Sequence, residues 1–122
     1  MQTESNRKRE SRPKPLPYLS IRYADYAISI GREVVRLLST PKYVTLLMNW
    51  EERTMAVLAC DEKTPTSFKV PEKFLTDRNC NFRIYSASFV KEIGARWNIG
   101  REGLNRYKGS YSESLHAVVF QL

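Results

Sequence analysis

The chain has 122 residues, a formal net charge of +7 and a hydrophobic content of 42%. This length suits one domain with a modest core and is too short for two full ones. No stretch approaches the roughly 18 apolar residues that a membrane-spanning helix needs, and no apolar secretion segment stands near the N-terminus. We therefore expect a cytoplasmic protein with no membrane partner, whose positive charge favours a polyanionic partner, nucleic acid first.

Few residue types suited to catalysis or metal binding are present. Cys60 and Cys80 are the only cysteines and His116 is the only histidine, so the usual zinc ligand sets cannot be completed. We predict no metal and no cofactor, and two reduced cysteines that pack in the fold; whether they pair stays open. His116 stands in an apolar run with no positioned partner, which favours a hydrogen-bonded strand histidine over a general base. Phosphate-loop and nucleophile motifs are missing, so we predict no enzymatic activity.

Residues 1–17 are predicted to form a disordered basic tail. The segment contains three prolines, no apolar period and the run Arg7-Lys8-Arg9, and such a composition cannot bury enough surface to offset the entropy of ordering. It reads either as a basic arm that orders on a phosphate backbone or as a solvated tail. Residues 18–122 are predicted to form a single domain, and Tyr18–Tyr23 is a candidate first strand.

The stretch from Tyr26 to Ala59 predicts a strand, a helix and a hairpin. Apolar alternation in Tyr26–Ile30 indicates a half-buried strand, and Val34–Leu38 places one apolar stripe on a short helix. Pro41 ends that helix, because the residue before a proline is pushed out of the helical region. Two apolar runs, Tyr43–Met48 and Thr54–Ala59, then flank a polar loop of hairpin length.

A similar order of elements follows a connector over residues 61–81, in which Ser67–Val70 is a candidate edge strand. Residues 82–86 alternate as a strand, and Ala87–Trp97 has the spacing of an amphipathic helix. A final hairpin is predicted from Leu104–Gly109 and Leu115–Leu122. The pattern of residues 25–60 thus recurs over residues 82–122.

The recurrence defines the predicted fold class, which is α+β and mainly β. Val34–Leu38 aligns with Phe89–Ile93, and Thr54–Ala59 aligns with Leu115–Phe120. A β-α-β-β unit that cannot close its own core needs a second copy. We therefore predict that the two β-α-β-β repeats combine into one domain.

The segment from Ile30 to Leu38, Ile-Gly-Arg-Glu-Val-Val-Arg-Leu-Leu, resembles the Ile-Pro-x-Glu-Leu-x-x-x-Leu pattern of AbrB-like and MazE-like DNA-binding proteins. Those families form swapped-hairpin barrels and are normally homodimers. The resemblance therefore implies that the two β-α-β-β repeats form one pseudo-twofold swapped-hairpin-like barrel, and that the protein binds DNA as a monomeric pseudo-dimer or a homodimer. Arg36 falls where the families often place a basic helix residue facing DNA. Two features differ: Gly31 replaces the family proline, and the family's Gly-Arg turn is absent.

A second resemblance covers Leu37–Val44. Its Leu-Leu-x-x-Pro-x-Tyr-Val core is similar to that of small uncharacterised phage and mobile-element proteins. No activity comes with this resemblance, but it suggests a second kind of role.

Basic residues recur on both predicted helices and near the final hairpin. Arg32 and Arg36 are four apart and share a helix face, and Lys91 aligns with Arg36. We expect the pseudo-twofold to bring both helices together as one cationic surface that contacts phosphates, with nearby tyrosines available to stack on bases. The predicted nucleic-acid-binding residues are Arg7, Lys8, Arg9, Arg32, Arg36, Lys42, Lys91, Arg96, Arg101, Arg106 and Lys108.

Three functional hypotheses follow from the sequence. The first is a non-enzymatic nucleic-acid-binding protein, specifically a DNA-binding transcriptional regulator or antitoxin-like module, with the choice between DNA and RNA left open. The second is a phage or mobile-element interaction protein that inhibits a host defence nuclease, as anti-CRISPR proteins do, by docking on an acidic or nucleic-acid-bound protein. The third is an enzyme with an unrecognised site.

Overall fold

The computed structural model describes residues 15–97 and 104–122, and the fold they form is mainly β. Within these ranges, eight strands and two helices follow one another in the order β1-β2-α1-β3-β4-β5-β6-α2-β7-β8. Their bounds are β1 Tyr18–Arg22, β2 Ala27–Ile30, α1 Arg32–Leu37, β3 Tyr43–Asn49, β4 Thr54–Cys60, β5 Ser67–Lys69, β6 Arg83–Tyr85, α2 Ala87–Trp97, β7 Leu104–Ser112 and β8 Ala117–Gln121.

The eight strands make a single antiparallel sheet that curls into a nearly closed barrel. The strand order across the sheet is β5-β3-β4-β8-β7-β1-β2-β6. Strands β5 and β6 are the two edges, so the opening of the barrel lies between them. The first half of the chain, β1 to β4, meets the second half, β5 to β8, in four antiparallel pairs: β3 with β5, β4 with β8, β7 with β1, and β2 with β6.

Both predicted hairpins are confirmed. Strands β3 and β4 pair in continuous register from Tyr43 opposite Cys60 to Asn49 opposite Thr54. The last strand, however, begins at Ala117 and not at Leu115. His116 has a φ of 50°, and a left-handed residue belongs to the turn because it breaks the extended backbone. The prediction that His116 lies in a strand is therefore wrong.

The two helices occupy the segments that the apolar spacing predicts. Helix α1 ends at Leu37, and Ser39 and Thr40 then adopt φ values of 65° and 51°. The Thr40 N–H binds the Val35 carbonyl at 2.9 Å, so the chain closes the helix with a left-handed turn before Pro41. Helix α2 covers the full predicted range.

The core is built from the inward positions of the strands and from one face of each helix. Its members are aliphatic or aromatic side chains, as the alternating pattern requires. Gly109 on β7 lies directly opposite Phe120 on β8. A Cβ at Gly109 would lie 2.6 Å from the ring of Phe120, which is fully buried. The fully buried side chains are Leu19, Ile21, Ile28, Val34, Val35, Leu38, Val44, Met55, Val57, Val90, Ile93 and Phe120, together with Ala117 and Val118.

The predicted tail lies, up to residue 14, outside the described residues. Within them, Pro17 is buried and its carbonyl accepts a 2.8 Å hydrogen bond from the Gly109 N–H, so the chain is already attached to β7 before β1 begins. Neither helix of the described ranges has the length and hydropathy needed to cross a membrane.

Candidate nucleic-acid interface

The two helices carry four of the predicted binding residues, and they lie at opposite ends of the β2–β6 pair. These strands are antiparallel, and each leads directly into its own helix. Helix α1 follows the end where the Ile30 N–H binds the Phe82 carbonyl, and α2 follows the end where the Ser86 N–H binds the Tyr26 carbonyl. The prediction that Arg32, Arg36, Lys91 and Arg96 form one cationic surface is therefore wrong, because an antiparallel pair sends successive helices in opposite directions.

Arg32 is engaged by the connector. Its Nε donates to the Phe74 carbonyl at 2.9 Å, and its terminal nitrogen donates to the carbonyls of Asp77, Arg78 and Cys80 at 3.1, 3.0 and 2.7 Å. The guanidinium also lies 5.0 Å from the centre of the Phe74 ring. These contacts give Arg32 a structural role, in which it holds the connector against the start of α1.

Arg36 is exposed, and its one ion pair with a residue of the described ranges is a long contact of 3.6 Å with Glu33. Together with Arg78 it lines a shallow depression of about 400 Å³. Lys42 is also exposed, just after α1. This end of the barrel is therefore basic, but the depression is open and has no aromatic side chain in its lining.

The cations of α2 lie over aromatic rings. The Lys91 ammonium is 5.2 Å from the centre of the Tyr26 ring. Arg96 pairs with Glu92 at 2.7 Å and lies 4.7 Å from the Trp50 ring. Because Arg96 already has a carboxylate and an indole as partners, it is less suited to phosphate binding than its sequence position suggests.

Trp50 belongs to an aromatic cluster that attaches the β3–β4 turn to α2. Its ring centre lies 6.0 Å from that of Phe89 and 5.8 Å from that of Trp97. Arg53 covers Trp97 at 4.5 Å. Such cation–ring contacts are attractive because the ring face is negative, so this group is best described as packing.

Arg106 leads to a different surface, the outer face of strands β7, β1, β2 and β6. Arg106 lies directly opposite Ser20, Ser20 opposite Ser29, and Ser29 opposite Arg83. One row across four adjacent strands thus places an arginine at each end and two small hydroxyl side chains between them. We call the resulting depression the serine groove.

The serine groove has a volume of about 340 Å³. Besides the row just described, it is lined by Tyr18, Arg22, Asp25 and Tyr85 and by the small residues of β2. The Tyr85 ring is 66% exposed, whereas Tyr18 lies under the Arg106 guanidinium at 4.1 Å. Lys108, another predicted binding residue, lies directly opposite Tyr18 and adds a cation to the same face.

The electrostatic environment of the serine groove is strongly positive. Arg22 pairs with Asp25 at 3.3 Å, and this is the only ion pair among the groove's described residues. Arg83 and Arg106 are exposed and make no ion pair with a carboxylate in the described part of the chain. An anion that enters the groove would meet the guanidinium groups of Arg83 and Arg106, while Asp25, the acid in the lining, is paired with Arg22.

The local sequence explains why the groove forms. The inward positions of β1 and β2 are Leu19, Ile21, Ile28 and Ile30, so the residues between them must face outward. On β2 these outward residues are all small, from Ala27 through Ser29 to Gly31 at the strand end. A Cβ at Gly31 would lie 2.8 Å from the Tyr18 carbonyl oxygen, so glycine allows β1 and β2 to come together at this point.

Sequence reasoning identified Arg106 and Lys108 but missed Arg83, Arg22 and Tyr85. A signal was available for Arg83 and Tyr85, since the alternation with Phe82 and Ile84 directs both outward. What the alternation could not reveal is that β6 joins β2 and completes the groove. Arg7, Lys8, Arg9 and Arg101 lie outside the described residues.

The described residues offer little that suggests catalysis. Exposed His116 places its Nδ1 2.8 Å from the Tyr111 hydroxyl, without a carboxylate in the contact. Burial raises the pKa of Tyr23 above its ordinary value, and a weak 3.5 Å contact with the Tyr107 hydroxyl adds to the effect. Cys60 and Cys80 are free thiols. In the described ranges, no three His, Cys, Asp or Glu side chains are grouped so that they could hold a metal ion.

Comparison with protein-family models, with curated proteins and with solved structures gave no match for this chain.

Proposed function

We propose that this protein is a non-enzymatic nucleic-acid-binding module and that the serine groove is its binding surface. The observation that supports the proposal is the row Arg106–Ser20–Ser29–Arg83. It places two guanidinium groups without carboxylate partners, within the described chain, on either side of a floor of small polar side chains. Arginine is suited to phosphate because its planar fork can donate two parallel hydrogen bonds.

The physical role of each group follows from its position. Arg83 and Arg106 bind phosphates at the two walls, and Lys108 extends the positive surface along β7. The hydroxyls of Ser20 and Ser29 can donate to phosphate or sugar oxygens, and their small size lets the ligand approach the sheet. Tyr18 positions Arg106 by lying beneath its guanidinium.

The pseudo-twofold architecture is part of the proposal. The chain contains the order β-β-α-β-β twice, as β1 to β4 and as β5 to β8. The alignment of Thr54–Ala59 with Leu115–Phe120 matches Val57 to Val118, and these residues are direct partners across β4 and β8. Ile28 and Ile84 hold matching places in the strands that precede the two helices, β2 and β6, and pair in the same way. Equivalent residues of two copies meet like this only at a twofold axis.

This symmetry supports a relation to the swapped-hairpin barrels of AbrB-like and MazE-like proteins, with both halves in one chain. Such a relation is compatible with a role as a transcriptional regulator or antitoxin-like module. It does not require binding through the helices, since Arg83 and Arg106, which pair with no described carboxylate, lie on the sheet.

The test is a binding titration of the full chain with fluorescently labelled oligonucleotides at several salt concentrations. The double variant Arg83→Ala/Arg106→Ala should bind more weakly and with a shallower dependence on salt. Each lost phosphate contact reduces the logarithmic salt slope by about 0.7 for a single strand and about 0.9 for a duplex, so the double variant should lose roughly 1.4 to 1.8 of the slope.

Lys63→Ala is the matched control, because Lys63 is an exposed cation in the β4–β5 loop, remote in sequence from the groove strands. It should leave both affinity and slope nearly unchanged. Equal effects of the control and the double variant would contradict the assignment of the groove. Absence of measurable binding by the unmodified chain at low salt would contradict nucleic-acid binding itself.

A second candidate function, interaction with a protein partner such as a host defence nuclease, is favoured by a different surface. Leu47 on β3 is 55% exposed and lies opposite Ala56, which lies opposite Val119 on β8. An apolar row of this kind on an outer sheet face is typical of protein contacts. Leu47→Asp should abolish the recovery of one specific protein after nuclease treatment of a host extract, and recovery that is unchanged by this variant would exclude the surface.

A further inference from the structure

We infer that the serine groove takes a single strand of nucleic acid and not a duplex, with Tyr85 as the platform on which an unpaired base stacks. The inference rests on the proposed function and adds the class of ligand. It depends on three features of the groove, namely its width, its concave shape and the exposure of one aromatic ring.

The width of the basic face argues against insertion into a duplex. Arg106 and Arg83 are separated by three strand-to-strand intervals, which is about 14 Å of backbone at the usual spacing. The major groove of B-form DNA is about 12 Å wide and admits a helix or a two-stranded ribbon. A four-stranded face that carries an arginine at each side cannot enter it.

The concave shape of the face also argues against a duplex ligand. The two arginines lie at the walls of a depression and not on a protruding element, so it is the ligand that must enter the protein. A volume of about 340 Å³ falls in the range of pockets for small ligands, about 300 to 1,000 Å³. One nucleotide unit of a flexible strand can occupy such a space, whereas a stacked base pair with both of its backbones cannot.

Tyr85 supplies the contact that distinguishes an unpaired base. It is 66% exposed and lies two residues from Arg83 on the same outer face of β6, directly opposite Ala27. A phosphate bound by Arg83 would therefore place the adjoining base beside Tyr85, and base–aromatic stacking contributes about 1 to 3 kcal/mol per base.

The two tyrosines of the groove have different roles. Tyr18 is covered by Arg106 at 4.1 Å, so one of its faces is occupied by a cation. Tyr85 has no such cover among the described contacts. This difference singles out Tyr85 for mutation and predicts that its aromatic ring matters more than its hydroxyl.

The experiment compares three labelled ligands of about 20 nucleotides, namely single-stranded DNA, single-stranded RNA and a DNA duplex, with the full chain at low salt. We expect at least one single strand to bind at least tenfold more tightly than the duplex. Tyr85→Ala should weaken single-strand binding by about 5- to 150-fold, which is the stacking energy converted at about 1.4 kcal/mol per tenfold. Tyr85→Phe should retain nearly full affinity, and the ratio between DNA and RNA identifies the preferred sugar.

Tyr111→Ala is the control, because Tyr111 is a partly exposed tyrosine at the β7–β8 turn, where its partner is His116. It should not change affinity, and thermal unfolding of each variant verifies that the fold is intact.

Duplex binding as tight as single-strand binding, still dependent on Arg83 and Arg106, would overturn the single-strand inference and leave the proposed function standing. An unchanged affinity in Tyr85→Ala would overturn the stacking role. Absence of binding to all three ligands by the unmodified chain would overturn the proposed function.

Discussion

Arg32→Ala is expected to reduce stability sharply, although the sequence presents Arg32 as one of two equivalent arginines on a short helix. The structure shows its guanidinium bonded to the carbonyls of Phe74, Asp77, Arg78 and Cys80. This one side chain connects the start of α1 to a segment that has little regular structure of its own.

The size of the effect follows from which contacts are protected from water. The bonds to Phe74 and Cys80 are partly buried, and we assign each about 1 kcal/mol, the usual net contribution of a protein hydrogen bond. The contact with the Phe74 ring adds about 0.5 to 1 kcal/mol. The bonds to Asp77 and Arg78 are exposed, and water replaces them at little cost. The expected loss in the free energy of unfolding is about 3 kcal/mol, or roughly 10 °C in Tm.

The assay is urea unfolding followed by tryptophan fluorescence. Trp50 and Trp97 lie against each other at the α2 end of the barrel, remote from the connector, so they report global unfolding. Limited digestion with trypsin adds a local measurement, because Lys73 and Arg78 are exposed cleavage sites within the connector. Arg32→Ala should be cut faster at both sites.

Two variants separate this explanation from a general effect of charge. Arg36→Ala removes a cation from the same helix but only a 3.6 Å surface ion pair, so it should change stability by no more than about 0.5 kcal/mol. Arg32→Lys keeps the charge but lacks the planar fork and should recover only a small part of the loss. If Arg32→Ala and Arg36→Ala unfold at the same urea concentration and their connectors are cut at the same rate, the reasoning is refuted.

Two further predictions concern the barrel interior. Gly109→Ala should lower the free energy of unfolding by about 1 to 3 kcal/mol, because the new methyl group would overlap the buried ring of Phe120. In thermal unfolding, the double variant Gly109→Ala/Phe120→Leu should lose less stability than the sum of the two single variants. Simple additivity of the two losses would contradict the overlap. Burial raises the pKa of Tyr23 above the ordinary 10.0, so the unfolded chain loses the Tyr23 proton at a lower pH than the folded chain does. The contribution of Tyr23 to the free energy of unfolding is therefore fully present below about pH 10 and decreases as the pH rises further. In Tyr23→Phe, the free energy of unfolding should decrease less steeply above pH 10, by up to about 1.4 kcal/mol per pH unit. If the urea midpoints of Tyr23→Phe and of the unmodified chain change identically with pH in this range, Tyr23 is excluded as the source of the decrease.

The elements of the fold could be predicted from the sequence because each depends on local pattern. The candidate edge strand Ser67–Val70 is found as Ser67–Lys69 at one edge of the sheet, and α2 spans Ala87–Trp97 as its apolar spacing indicates. The prediction that the last strand begins at Leu115 is wrong for a local reason. Leu115 is apolar and lies next to the strand, so the pattern includes it, but the backbone at His116 is left-handed and belongs to a turn. Apolar alternation does not reveal this turn geometry.

The order of the strands could not be predicted in this way. The alternation of β1 shows which residues face the core, but not that β1 inserts between β7 and β2. That position creates the floor of the serine groove, and it depends on pairing between segments more than 80 residues apart, such as Ser20 with Arg106. For the same reason, the i,i+4 spacing of Arg32 and Arg36 indicates a shared face but cannot show that the connector folds over only one of them.

The small side chains at the outward positions of the groove strands favour a bound ligand. A sheet face gains stability from β-branched and aromatic side chains that pack across neighbouring strands, yet Ser20 and Ser29 are small. Gly31 has a structural reason to be small, since the Tyr18 carbonyl leaves no space for a Cβ, and Ala27 is 5% exposed and nearly covered. No comparable constraint applies to the two serines, which line an open depression between unpaired arginines of the described chain. Threonine or valine at these positions would strengthen the sheet and fill the groove, so the small side chains are what the proposed binding of a single strand would require.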